Sequence, residues 1–220
     1  MNVEQTNALP LDRDGFREIV HHPRAHALVL GNYRIGEYAG VVALRRLLDE
    51  MRPDGTLHQA MEIHFRDEER HSKVFTDWIE RLEVTPDPLP AEVEGYFANS
   101  PEEFRQHRAL VETLPPDMRR IIVFAGINAI ERLAYNQFEM HLGCLDRRED
   151  REVLESVINE EKFHLSYVEH ELERQSAGEF GSFVTTAIEQ ARAQFAIFQE
   201  KRRAESMARL ERLLGGGEKE

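Results

Sequence analysis

Apolar residues recur in steps of three and four along most of the chain, which indicates helices that each bury one face. The pattern predicts two short helices, four long core helices and a long C-terminal helix. The short helices are expected at 11–21 and 101–112, the core helices at 23–51, 57–82, 116–145 and 150–175, and the last helix at 181–213. The predicted fold class is therefore all-α.

Turn-forming residues mark the ends of these helices. The sequence PDGT at 53–56 predicts a tight turn, with Thr56 as the N-cap of the second core helix. Three prolines within 83–99 exclude a continuous helix there. We expect a single domain over 1–214, with a frayed segment at 1–10, a bundle core at 23–175 and a disordered tail at 215–220.

Six ionisable residues interrupt the apolar stripes of the core helices. Two stripes contain Glu-x-x-His, which places a carboxylate and an imidazole one turn apart on the face that should be buried. The six residues are Glu37, Glu68, His71, Glu131, Glu161 and His164. Buried carboxylates and imidazoles need a compensating charge, and a metal cluster supplies it.

The spacing of these residues repeats. Glu37 precedes Glu68 by 31 residues, and Glu131 precedes Glu161 by 30, whereas 63 residues separate Glu68 from Glu131. Two helical hairpins of one plan, joined by a long crossover, account for this spacing.

Composition is that of a globular protein, with 41% hydrophobic and 31% charged residues in a chain of 220. The formal net charge of -13 disfavours non-specific binding to nucleic acid or to an anionic membrane. The single cysteine, Cys144, excludes an intramolecular disulfide and a site built on several thiolates. Without a signal peptide or an apolar run of about 18 residues, we expect a cytoplasmic protein with no membrane span.

A Glu from each of two helices and Glu-x-x-His from each of two others form the ligand set of ferritin-like di-iron and di-manganese proteins. The chain resembles this superfamily at all six positions, over about residues 23–175. The resemblance implies a ferritin-like four-helix bundle with a long crossover, an inserted short helix and an accessory C-terminal helix. It implies two iron ions, or manganese in one or both positions, with Glu68 and Glu161 bridging and Glu37 and Glu131 each binding one ion.

The resemblance also implies supporting residues. In relatives, the acid before the ligand Glu often hydrogen-bonds the opposite histidine, so Asp67 is expected to orient His164 and Glu160 to orient His71. Glu160 departs from the commoner Asp.

Three further residues keep two interpretations each. Tyr33 lies four residues before Glu37, and Tyr135 lies four residues after Glu131. Each could donate a hydrogen bond to a ligand or act as a radical relay, or else be an ordinary packing residue. His64 is a hydrogen-bonded core histidine, or else a base or an additional ligand.

Three activities compete within the superfamily: an O2-dependent oxidase or oxygenase similar to aldehyde-deformylating oxygenase, peroxide reduction as in rubrerythrin, and iron oxidation and storage as in bacterioferritin. The chain has Glu69 where bacterioferritin has its haem-binding Met, and Ala134 where rubrerythrin has an additional Glu. The resemblance therefore favours the oxygenase class, acting on a small and largely apolar organic substrate.

Such an enzyme requires an external electron donor, for which a ferredoxin-type protein is expected. The net charge disfavours the transfer-RNA hydroxylase branch of the superfamily. A non-catalytic, metal-stabilised helical bundle is the alternative from a different class, and assembly as a homodimer is left open.

Overall fold

The computed structural model describes residues 13–50, 55–85 and 102–215, and within these ranges all regular secondary structure is helical. The seven helices of the described ranges are α1 Arg13–His21, α2 Pro23–Glu50, α3 Thr56–Arg81, α4 Glu102–Glu112, α5 Pro116–Leu142, α6 Arg148–Ser176 and α7 Gly181–Gly215. The prediction of an all-α chain is confirmed.

Two predicted helix ends are wrong. Gly55, with a φ of 103°, is the N-cap of α3, and Thr56 is already the first helical residue and makes no side-chain cap. Glycine takes this left-handed conformation without strain, which allows the chain to turn into the helix one residue earlier. The helix α5 ends at Leu142, because Cys144 N–H donates to His141 O at 2.8 Å in a tighter turn.

Other predicted ends differ by one or two residues. The helix α6 already begins at Arg148, and α7 extends through Gly215, which was assigned to the tail. The predictions for 1–12, 51–54, 86–101 and 216–220 lie outside the described residues, and they include the frayed start, half of the 53–56 turn and the proline-rich segment after α3.

Four helices, α2, α3, α5 and α6, each pass through two apolar clusters. The most extensive helix contacts are those of α2 with α3 and of α5 with α6. The first cluster contains Leu30, Tyr33, Phe75, Trp78, Phe138, Leu154 and Val157. The second contains Leu44, Leu47, Met61, Ile121, Phe124, Ile127, Val168 and Leu172. Burying side chains of this size contributes about 1.5–3 kcal/mol each, so the two clusters hold the four helices together.

The order of the clusters along each helix gives its direction. Along α2 and α6 the first cluster precedes the second, whereas along α3 and α5 the second precedes the first. Consequently α2 is antiparallel to α3 and α5 to α6, while α3 and α5 run in the same direction. Between the clusters, each of the four helices contributes acidic side chains to one buried layer.

The remaining helices cover the ends and one side of this core. Phe16 and Ile19 of α1 pack into the first cluster. The long helix α7 contributes Val184 and Ala187 to the second cluster and Leu210 to the first, so it lies along the length of the core. Among the described residues, no helix has both the length and the apolar content that crossing a membrane requires.

Candidate metal centre

All six residues predicted from the interrupted stripes lie in the buried layer between the two apolar clusters. Their relative exposures are at most 5%: Glu37 5%, Glu68 3%, His71 0%, Glu131 5%, Glu161 0% and His164 0%. Ionised side chains are rarely buried to this extent unless they are paired or bind a metal ion.

The first group of potential ligands comes from α2, α3 and α6. It consists of Glu37, Glu68, His71 and Glu161, whose ligand atoms all lie within 4.8 Å of one another. The Nδ1 atom of His71 is 3.1 Å from Glu37 Oε2 and 3.2 Å from Glu161 Oε1. This imidazole therefore directs Nδ1 into the layer.

The second group comes from α3, α5 and α6. It consists of His64, Glu68, Glu131 and His164, with the same spread of ligand atoms. The Nδ1 atom of His164 lies 3.2 Å from Glu161 Oε2, 3.7 Å from Glu68 Oε1 and 3.8 Å from Glu131 Oε2. Glu68 belongs to both groups, so the two potential ion positions are adjacent.

Outside the layer, each of these histidines faces a carboxylate with its second nitrogen. His71 Nε2 is 2.7 Å from Glu160 Oε2, and His164 Nε2 is 3.3 Å from Asp67 Oδ2. Arg70 pairs with Glu160 and lies 3.5 Å from Asp67, which joins the two carboxylates at the surface. A carboxylate that accepts Nε2–H leaves Nδ1 as the nitrogen available to a metal ion.

His64 lies within the layer, although the sequence left its role open. Its ring is stacked on that of His164, with centroids 3.7 Å apart. Its Nε2 atom is 3.0 Å from Glu68 Oε1 and 3.1 Å from Glu131 Oε1, and its Nδ1 atom is 2.7 Å from the Tyr167 hydroxyl. The sequence analysis did not single out Tyr167, although it follows His164 by three residues on the same helix face.

The close carboxylates shift the pKa values of the layer strongly. Burial would lower the pKa of His71 and of His164, but hydrogen bonds with carboxylates outweigh burial and raise these values to about 9 and about 11. Burial and the neighbouring acids raise the pKa of Glu161 to about 8 and that of Glu68 well above its usual value.

Two residues of the layer shift in the opposite sense. Burial would raise the pKa of Glu131, but its hydrogen bonds and the nearby histidines hold it well below the usual value. Burial lowers the pKa of His64, against the attraction of Glu131. The layer thus combines ionised and protonated groups, as expected where many acids share one site.

The tyrosines proposed from the sequence lie away from the layer. Tyr135 donates its hydroxyl to Glu139 Oε1 at 3.1 Å on the surface of α5, and its role as a donor to a ligand stays a prediction. Tyr33 packs in the first apolar cluster, with its ring 4.8 Å from Phe138 and 5.7 Å from His141. Ordinary packing accounts for Tyr33.

Gly40 of α2 gives Glu68 the space that it occupies. A Cβ atom added to Gly40 would lie 2.7 Å from Glu68 Oε2. Only glycine therefore permits this approach of α2 to the shared carboxylate. Gly40 follows Glu37 by three residues and therefore lies on the same helix face. A glycine within a helix does not by itself predict such a close approach.

The side chains of the layer fit a pair of hard divalent ions. Carboxylate oxygens and imidazole nitrogens are the donors that iron and manganese prefer, and four carboxylates formally balance two divalent cations. Glu161 Oε1 is buried and has no hydrogen-bond partner in the part of the chain that the structure describes, although His71 Nδ1 is 3.2 Å away. A metal ion would satisfy this oxygen.

A surface groove reaches the outer edge of this site. It lies between α3 and α6, has a cavity volume of about 350 Å³, and is lined by Ile63, Asp67, Ser156, Asn159, Glu160 and Phe163. Both carboxylates that face the histidines therefore border the groove.

Comparison with models of protein families, with curated proteins and with solved structures finds no match for this chain. What defines the chain is therefore its helical fold and a buried group of glutamate and histidine side chains that could hold metal ions.

Proposed function

We propose that the chain is a ferritin-like dinuclear metal oxidoreductase that uses O2 to oxidise a small organic substrate. The observation that carries this proposal is the pair of buried four-residue groups that share Glu68. Two ions that share a carboxylate act together on one oxidant, which a single isolated ion does not do.

The helix directions support the ferritin-like interpretation. The helix α3 ends beside the first cluster, whereas α5, which runs in the same direction, begins beside the second cluster at the opposite end of the bundle. Two antiparallel hairpins joined by a long connection define the ferritin-like arrangement among four-helix bundles.

In the proposed site, Glu37 and His71 would hold one ion and Glu131 and His164 the other, with Glu68, which belongs to both groups, and Glu161 as the remaining carboxylate ligands. Bound iron, or manganese in one or both positions, supplies redox chemistry and open coordination positions for the oxidant.

The protein side chains orient this site and keep water away from it. Asp67 and Glu160 fix the ring orientation and the tautomer of His164 and His71 by accepting their Nε2–H groups. The apolar clusters on both sides of the layer exclude water and favour a substrate of largely apolar character.

An external electron donor completes the proposed reaction. In an oxygenation, one oxygen atom enters the substrate and the other leaves as water, with two electrons from the donor and two protons from solvent. The groove between α3 and α6 suits the approach of a ferredoxin-type donor, because Asp67 and Glu160 connect its wall to the two histidines.

Reconstitution with ferrous iron under anaerobic conditions tests this proposal. We expect two ions per chain, followed by consumption of O2 on mixing. Glu68→Ala and Glu161→Ala should each lose at least one ion, whereas Glu69→Ala, at an exposed neighbouring carboxylate, should bind two.

The other outcomes separate the competing functions. Faster reaction with hydrogen peroxide than with O2 would indicate a peroxide reductase, and accumulation of many ferric ions per chain would indicate iron oxidation and storage. Two bound ions that react with neither oxidant would indicate a structural role. Failure to bind either iron or manganese would refute the proposal.

A further inference from the structure

His64 has the contacts of a metal ligand, although it belongs to neither Glu-x-x-His motif. Its ring is completely buried, and Nε2 lies 3.0 Å from Glu68 Oε1 and 3.1 Å from Glu131 Oε1. The ligand atoms of these residues and of His164 all lie within 4.8 Å of one another. Four donor residues from three helices are thus close enough to one another to hold one ion.

An imidazole nitrogen that faces two carboxylate oxygens requires positive charge between them. A proton on Nε2 provides it if His64 is only a hydrogen-bond donor, and a metal ion provides it if His64 is a ligand. The tautomer of the ring decides between these roles, because a neutral imidazole carries a single N–H.

Tyr167 provides the partner that a ligating histidine needs. The hydroxyl of Tyr167 lies 2.7 Å from His64 Nδ1 and its oxygen can accept Nδ1–H, which leaves the Nε2 lone pair directed at the carboxylates. Histidines that bind metals generally donate their other N–H to such a partner. The Tyr167 hydroxyl thus supports His64 in the same way as the carboxylates of Asp67 and Glu160 support His164 and His71.

We propose that His64 is a third imidazole ligand, bound through Nε2 to the ion that Glu131 and His164 hold. This inference rests on the proposed dinuclear centre and adds an asymmetry to it. One ion then has two imidazole ligands, whereas the ion beside Glu37 has only His71.

Proton NMR of the cobalt(II)-loaded protein tests the inference without an activity assay. A ligand imidazole bound to cobalt(II) gives a strongly shifted signal from its remaining N–H, which exchanges with solvent. With selective labelling of histidine by nitrogen-15, we expect three such signals in the wild-type protein. Only two, from His71 and His164, would overturn the inference and leave the dinuclear centre intact.

Variants assign the third signal. His64→Gln should remove it, and Tyr167→Phe should move it while the other two stay in place. His58→Gln is the matched control, because His58 is also buried on α3 but lies 3.6 Å from Glu62 and outside both groups. The His58→Gln variant should keep three signals. The assignment would be overturned if His58→Gln lost the third signal, or if His64→Gln kept it.

The wild-type spectrum also separates this inference from the proposed function. If cobalt(II) does not bind in stoichiometric amounts and no shifted histidine signal appears, the dinuclear centre itself is refuted together with the role of His64.

Discussion

Three histidines of the buried layer direct one ring nitrogen into the layer and the other toward a supporting group. His71 and His164 direct Nδ1 inward and Nε2 toward a carboxylate, whereas His64 directs Nε2 inward and Nδ1 toward Tyr167. Which nitrogen faces the layer depends on the position of the histidine along its helix. His64 lies one turn before Glu68, whereas His71 and His164 lie one turn after Glu68 and Glu161. The layer thus contains one imidazole from a residue that precedes a buried glutamate and two from residues that follow one.

Gly40→Ala should weaken metal binding without unfolding the protein. The added Cβ would lie 2.7 Å from Glu68 Oε2, so the shared carboxylate must turn away from its position. We expect metal affinity to fall roughly ten- to a hundredfold, the usual cost of disturbing the support of a ligand. Competition with a chromophoric chelator would measure it.

Gly31→Ala is the control for this substitution. Gly31 lies on the same helix, and nothing lies within 4 Å of the added carbon. It should leave metal affinity unchanged and stabilise α2 by about 1 kcal/mol, the helix preference of alanine over glycine. Equal affinities of the two variants would contradict the role given to Gly40.

Residue types and spacing predicted which side chains share the layer, because a carboxylate in an apolar helical stripe can only be buried. They did not predict which way a partly buried side chain turns. Tyr135 follows Glu131 by one turn, yet its hydroxyl contacts the exposed Glu139. His64 and Tyr167 meet across two helices, and their contact depends on how α3 packs against α6.

At the scale of the helix, one polar layer crosses four apolar stripes at the same height. Periodicity predicted the four long helices because each stripe continues for several turns on both sides of its acidic residue. Helix ends were harder to predict, since they depend on single backbone conformations. Gly55, with its positive φ, is the N-cap where Thr56 was expected, and a tight turn at 142–145 ends α5 before the predicted residue.

A second polar contact joins α2 to α5 within the first apolar cluster. His26 Nε2 and His141 Nε2 are 3.0 Å apart, so one ring donates and the other accepts, and the rings of Trp78 and Phe16 pack against the pair. Burial, together with the charge of His21, lowers the pKa of His26 to about 4. Burial and the charge of His26 lower the pKa of His141 well below its usual value.

This pair should make the fold sensitive to acid. Above pH 6.5 both rings are neutral whether the chain is folded or unfolded; as the pH falls toward 4, the unfolded chain binds protons that the folded chain resists, so stability is lost. In His26→Gln, which cannot take up a proton, the loss of unfolding free energy between pH 7 and pH 5 should be smaller by about 2 kcal/mol.

Urea unfolding of both proteins at each pH, in the same metal state, measures this difference. His170→Gln, at an exposed position of α6, is the control and should follow the wild-type curve. Parallel curves for wild type and His26→Gln would contradict the assignment of the acid sensitivity to the histidine pair.

For the whole molecule, the buried layer is the main electrostatic cost of the fold. The chain carries a net charge of -13, and four of its carboxylates lie in the interior between two apolar clusters. The raised pKa values show how the protein without metal meets this cost. The side chains of His71, His164 and Glu161 retain protons at neutral pH, and the pKa of Glu68 is raised as well.

Metal binding should therefore release protons. Two ions that occupy the layer would displace one proton from each imidazolium of His71 and His164 and one from the carboxyl group of Glu161, so at least about three protons per chain should leave at pH 7. As the pH rises through 8, Glu161 is already ionised before metal binds, and the number should fall by about one. Affinity should rise with pH over the same range, because fewer protons compete with the ions.

Calorimetric titration with manganese(II) in buffers of different ionisation enthalpy counts these protons. Glu161→Gln should release about one fewer at pH 7, and Glu69→Ala the same number as the wild type. Binding of two ions without proton release would show that the layer has already lost these protons before metal arrives, and the protonation assigned to His71, His164 and Glu161 would then be wrong.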